Sequence, residues 1–272
     1  MGVPAIFPSP LRRTGLALWS SAYRLAEAEL GFAARLPAFL ARTAPGWPVA
    51  QTVAVDVGAS LGVYARAFHR WCPSVIAVEP NAAMARHLRA LALPRLRVVE
   101  AAAGAETGHG RLSDTVAGDG RHPTARLGGT GAWQQPCVIR PLTEIIGSVP
   151  RALVVKVDVE GAELDAVRGL GHLLALPHLL LIIESERRPG TDPEALFDLL
   201  ARSGLTPWQL RRGQLCPAWS SDVPAPPAGG APRCARLHGY RNNFLFLRGH
   251  LPDPIRSANA AARPEMRSGA TR

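Results

Sequence analysis

The segment Asp56-Val-Gly58-Ala-Ser60-Leu-Gly62 constrains this chain more than any other. It follows a short apolar run, Thr52–Val57, and opens a helical stretch from about Leu61 to Trp71. Gly58 lets the backbone turn tightly and lets a ligand approach closely. The helix behind it aims free N–H groups at that ligand. The spacing is D-x-G-x-x-x-G. A dinucleotide fingerprint would want glycine at position 60, where Ser60 stands. The loop therefore suits a ligand that carries an amino acid and a nucleoside without a pyrophosphate.

The same alternation continues. Val75–Val78 is apolar and ends in Glu79-Pro80-Asn81, Ala82–Leu91 has a helical pattern, and Leu96–Val99 is a third strand. Strand, helix, strand, helix, strand is the signature of a parallel sheet with crossover helices. Leu153–Val157 and Leu179–Ile183 add two buried strands, separated by a short helix, Ala162–Gly169. Asp192–Ser203 reads as a helix with Asp192 as N-cap, Pro193 in the first position and Gly204 just past the end. Another run, Leu205–Leu210, follows, and Asn243–Leu247 supplies the last strand. The fold class is α/β, doubly wound and mostly parallel.

Three organisational units are expected. Residues 1–48 form an N-terminal helical arm, with Leu16, Trp19, Tyr23, Ala26 and Leu30 on one stripe. Gly31 and Pro37 are expected to break it into two helices. Packing on the main domain is its favoured role, ahead of a homodimer contact or a lid. Residues 49–250 form the main domain. It carries an irregular loop at 103–136, with at most a weak strand or hairpin, and a Pro-rich surface insertion at 217–232. Residues 251–272 read as a disordered tail.

Composition excludes several classes. Hydrophobic residues make up 47% of the 272, enough to bury a core, so the chain as a whole is not disordered. No apolar run approaches the ~20 residues of a membrane span. No secretory signal is evident at the N-terminus. The cysteines, Cys72, Cys137, Cys216 and Cys234, form no C-x-x-C pair, so neither a zinc site nor a disulfide framework is suggested and a cytoplasmic setting is expected. The net charge of +10 would suit a nucleic-acid partner. The positive charge is almost all arginine, however, and it is spread along the chain, which reads as compositional bias.

Two constellations sharpen the chemistry. Glu79 stands twenty-one positions beyond Gly58. An acidic residue at about that distance grips a ribose diol with one carboxylate. The second is Lys156-Val-Asp158-Val-Glu160-Gly161-Ala-Glu163, at the carboxyl end of a buried strand, where ligands of such sheets bind. Lys156 is the chain's only lysine, which suggests a slot that wants a compact ammonium. An internal ion pair, or acids serving the next helix's N-terminus, would also explain this block.

Asp56–Tyr64 (DVGASLGVY), Val78–Asn81 (VEPN) and Lys156–Leu164 (KVDVEGAEL) together resemble the FkbM family of S-adenosylmethionine-dependent methyltransferases. The resemblance spans about Val53 to Glu186. It implies a Rossmann-like class I methyltransferase sheet of seven strands, the last antiparallel. It also implies O-methylation of a hydroxyl on a sugar or secondary metabolite. Donor binding is expected at Asp56, Gly58 and Glu79, with Ser60, Gly62, Pro80 and Asn81 in the same two segments. Asp158 would lie beside the methyl group or the acceptor. Ser60 replaces the family's usual asparagine, a mild departure because serine also donates and accepts.

A neutral hydroxyl is a poor nucleophile, so a base is needed. The catalytic candidates are Asp158, Glu184 and Lys156, with the loop histidines His109 and His122 behind them. Asp158 and Glu184 could also hold magnesium, but paired carboxylates are more often hydrogen-bonded, and no metal is assigned. Three other readings compete. A nucleic-acid methyltransferase would use the basic charge. Pro136-Cys137 looks superficially like a cytosine-modifying nucleophile, but no Asn-Pro-Pro-aromatic motif stands at Asp158. A nucleotide-dependent oxidoreductase lacks its middle glycine. A non-catalytic adaptor would have no reason to keep Asp56, Glu79 and Asp158.

Overall fold

The structure, a computed structural model, describes residues 33–114, 125–211, 214–226 and 242–248. Its centre is an eight-stranded sheet. In chain order the strands are β1 (Thr52–Val57), β2 (Ser74–Val78), β3 (Leu96–Val99), β4 (Ala102–Ala103), β5 (Gly108–Asp114), β6 (Arg126–Leu127), β7 (Trp133–Arg140), β8 (Ala152–Val157), β9 (Leu179–Glu184), β10 (Thr206–Arg211), β11 (Gln214–Pro217) and β12 (Asn243–Leu247). The large sheet runs β11-β10-β12-β9-β8-β1-β2-β3. From β9 to β3 all neighbours are parallel, and β12 runs antiparallel to both β9 and β10. This is the class I methyltransferase arrangement. The expected seven strands are joined by an eighth, because β10 turns back through an antiparallel hairpin into β11 at the sheet edge.

Alternation along each strand divides the core in two. Val55, Val57, Val155, Val157, Leu181, Ile183, Phe244 and Phe246 face one side. They pack on α4 (Leu142–Ile146), α5 (Glu163–Arg168) and α6 (Pro193–Arg202). Ala54, Ala77, Val154, Ile182, Leu245 and Leu247 face the other. There they meet the helix 33–43, here α1, with α2 (Val63–His69) and α3 (Ala82–Ala90). Helices on both faces explain why β8 is buried along its whole length.

Two expectations are corrected. Pro37 does not end a helix, because α1 continues through it. Leu36 and Leu40, fully buried beside Ala54 and Phe68, hold α1 on the sheet despite the lost hydrogen bond. The described parts of the segment 103–136, residues 103–114 and 125–136, are not irregular. They form most of a second sheet, ordered β4-β7-β5-β6, in which β5 and β7 pair antiparallel over seven positions. Glycine and threonine content hid a hairpin whose inward face carries Leu112, Cys137 and Ile139. Most of the arm (1–32), His122, Cys234 and the 251–272 tail lie outside the described residues, as does the last part of the Pro-rich segment.

Candidate active site

The carboxyl ends of β1, β2 and β8 surround an open cleft of about 610 Å³. The turn after β1 forms its floor. Gly58 has φ +77, and a Cβ there would stand 1.8 Å from the carbonyl oxygen of Asp158. Only glycine lets the β1 and β8 turns lie this close. The Gly58 N–H donates to the Val78 carbonyl at 2.9 Å. Ser60, at φ 45, then aims its own N–H at Glu79.

Glu79 is the cleft's buried acid. Its Oε2 accepts the Ser60 N–H at 2.8 Å and its Oε1 accepts the Asn81 N–H at 2.8 Å. Each oxygen has one further lone pair. Burial raises its pKa above the ordinary carboxylate range, against the pull of those two N–H groups. Asn81 caps α3, its Oδ1 accepting from Ala83 and Met84. Apolar residues complete this end, with Met84, Ala102, Leu112 and Leu127 among the cleft's lining.

Asp56 and Gly62, both expected at the donor, lie outside the cleft lining. The Asp56 carboxylate accepts the Ala65 N–H of α2 at 2.8 Å and is nearly inaccessible. Its pKa is pushed up to about 7, chiefly by burial, with the Ala65 N–H and Lys156 opposing. Gly62 turns the chain into α2 at φ 78, where a Cβ would press on Leu88. Both residues shape the loop from behind.

A row of polar groups crosses the strand ends on the α1–α2 side of the sheet. Lys156 is 1% exposed, while Asp158 beside it is 34% exposed. Lys156 Nζ donates to Asn243 Oδ1 at 3.1 Å and stands 3.5 Å from Asp158 Oδ2 and 3.8 Å from Glu184 Oε2. It also lies 5.3 Å from the centre of the Tyr64 ring, a cation–π contact. The lysine thus supplies the cation between these two carboxylates. Among the described residues no group of three His, Cys, Asp or Glu could hold a metal ion. Asn242 Nδ2 donates to Glu184 at 2.5 Å and to Glu186 at 3.1 Å.

Asp158 and Glu160 also border a second cleft of about 210 Å³, with Glu184, Glu186 and Arg188. Arg188 pairs with both Glu160 and Glu186. Burial and the Asp158 charge raise the Glu160 pKa, while Arg188 lowers it. His109 is exposed on β5 and outside both clefts. Sequence reading missed Asn242, Asn243 and Arg188. The first two carried one signal, a pair of amides immediately before an apolar strand, and the third carried none.

The family model of the methyltransferase FkbM domain matches residues 56–204, from Asp56 to just past the end of α6. No curated protein matches the chain. Among solved structures, methyltransferase FkbM from Methylobacillus flagellatus is 15% identical, with 73% of this chain and 43% of that one covered and a TM-score of 0.45. This chain thus spans less than half of that protein's length. An rRNA methylase from Streptococcus thermophilus is 9% identical, covers 83% of this chain and 95% of that one, and scores 0.40. A SAM-dependent methyltransferase from Leishmania major is 12% identical, covers 82% and 72%, and scores 0.39.

Proposed function

We propose that this chain, which belongs to the FkbM methyltransferase family, binds S-adenosylmethionine in the cleft between Gly58 and Glu79 and methylates a hydroxyl on a small molecule. A sugar or a secondary metabolite is the acceptor class. The carrying observation is Glu79, buried at the cleft wall with one lone pair free on each carboxylate oxygen. That group fits a ribose diol. The apolar residues beside it suit a base, and the cleft between Gly58, Ser60 and Asp158 suits the amino-acid part. When bound, the sulfonium supplies an already activated methyl group, so the protein's task is positioning and proton removal.

Asp158 is the group placed for proton removal. It borders both clefts, so an acceptor hydroxyl in the second would meet it beside the donor. Lys156, enclosed beneath it at 3.5 Å, holds the carboxylate in place. Glu184 shares that ammonium and is oriented by Asn242. The acceptor side carries Asp158, Glu160, Glu184 and Glu186 against Lys156 and Arg188, an excess of negative charge that disfavours a phosphate backbone. This supports a neutral small acceptor over nucleic acid despite the basic chain. No described helix is long and apolar enough to cross a membrane, and a cytoplasmic enzyme is the setting proposed.

A labelled-methyl assay tests the reading. The full chain is incubated with labelled S-adenosylmethionine and a panel of neutral polyols, phenols, carboxylic acids and RNA. Label in an O-methyl ether of a neutral acceptor is expected. Label carried only by RNA or by a nitrogen would contradict it.

A further inference from the structure

We infer that Gln135 is a positioning residue for the nucleoside end of the donor cleft, and that the small sheet between β3 and β8 is that cleft's second wall. The inference rests on the donor site proposed above. Alternation on β7 leaves Gln134, Pro136 and Val138 exposed and turns Gln135 and Cys137 inward. Gln135 stands opposite Leu112 of β5 in the hairpin register, and Leu112 lines the donor cleft.

The Gln135 side chain reaches back to the turn that carries Glu79. Its Nε2 donates to the Pro80 carbonyl at 2.9 Å, and its Oε1 accepts the Ala82 N–H at 3.2 Å. The amide orientation is fixed, since the flipped form would set donor against donor and acceptor against acceptor. Ala82 opens α3, where the first N–H groups have no partner within the helix. Asn81 serves the N–H groups of Ala83 and Met84, and Gln135 serves that of Ala82 from the small sheet. One side chain of the small sheet thereby holds both ends of the Pro80–Ala82 turn. That turn sets the Asn81 N–H, which in turn fixes Glu79 Oε1. Gln135 acts through Glu79 and makes no claim on the chemistry itself.

The experiment is calorimetric titration of S-adenosylmethionine into the full wild-type chain, Gln135→Leu and Gln135→Glu between pH 8 and 5, alongside steady-state kinetics. Gln135→Leu leaves both backbone groups unpaired, so donor affinity should fall about tenfold. Its kcat at saturating donor and its acceptor KM should stay near wild type. Gln135→Glu should bind weakly at pH 8, where an ionised oxygen faces the Pro80 carbonyl. Its deficit relative to wild type should narrow as pH falls towards 5, as the carboxyl begins to take up a proton and restores the donor. A purely structural role would not give that pH-dependent rescue. Should Gln135→Leu fail to fold, the Gln135→Glu ratio alone decides. Wild-type affinity in Gln135→Leu, or a Gln135→Glu ratio that ignores pH, would overturn the inference alone. Absence of binding by the wild-type chain would overturn the donor site with it.

Discussion

Lys156 Nζ lies 3.5 Å from Asp158 Oδ2, the one sealed in the sheet and the other open to the cleft. An ammonium with no access to water cannot be offset by solvent, so its anions must be. Asp158 and Glu184 do this, helped by the Asn243 side-chain oxygen Oδ1, from three strand ends. Removing the lysine would leave two carboxylates facing each other. Lys156→Met should cost about 3 kcal/mol or more of stability in urea unfolding. Lys156→Arg should not restore it, because a guanidinium fork does not fit an enclosed slot shaped for an ammonium. Full recovery in Lys156→Arg would show that charge alone matters there.

Asp158→Asn keeps the side chain's shape and removes its proton affinity. As the proposed base, it should lower kcat by roughly 10²–10⁴-fold, while S-adenosylmethionine affinity changes little. Equal losses in both would make Asp158 a binding residue only. The assay needs an identified acceptor, and single-turnover kinetics separate the two effects.

Asp56 carries a pH signature. Its pKa rises from 3.8 unfolded to about 7 folded, chiefly through burial. The folded chain therefore keeps a proton that the unfolded chain releases across that interval. The contribution of Asp56 to stability is fully present below pH 3.8 and is lost as pH rises through about 7. Asp56→Asn removes this slope, since its amide oxygen still accepts the Ala65 N–H. The stability of the variant relative to wild type should rise between pH 4 and 8, by up to on the order of 4 kcal/mol. Parallel pH curves for the two chains would contradict a buried, costly charge.

Two glycines with similar backbone angles make a controlled pair. Gly58 has φ +77 and no room for a Cβ, whereas Gly46 has φ +87 and nothing within 4 Å. Gly46→Ala should cost only left-handed strain, about 1–2 kcal/mol. Gly58→Ala adds a clash with the Asp158 backbone. It should destabilise the fold further and abolish donor binding, as thermal unfolding and calorimetry would read. Similar losses at both positions would mean that the β1 and β8 turns do not need their close approach.

The parallel half of the fold was legible because its strands are buried on both faces and read as continuous apolar runs, as in Leu153–Val157 and Leu179–Ile183. Gly58, Glu79 and Asp158 were legible because a turn, a strand end and a spacing each constrain residue type. The β5–β7 hairpin was not, since its short inward face of Leu112, Gln135 and Cys137 sits among glycines and polar residues. Asp56 was identified as important, but its contact was not. A carboxylate at a strand end can turn to a ligand or back to a helix N–H, and only the folded packing on Ala65 decides. Asn243 and Arg188 meet the site from far along the chain, through pairings that no local pattern encodes.

Donor binding in this cleft rests most on Glu79. Calorimetric titration of S-adenosylmethionine into the wild-type chain and Glu79→Ala tests it directly. Loss of a carboxylate that accepts two ribose hydroxyls should weaken binding by about 100-fold or more, with the circular dichroism spectrum unchanged. Equal affinity in the two chains would contradict the donor site placed between Gly58 and Glu79.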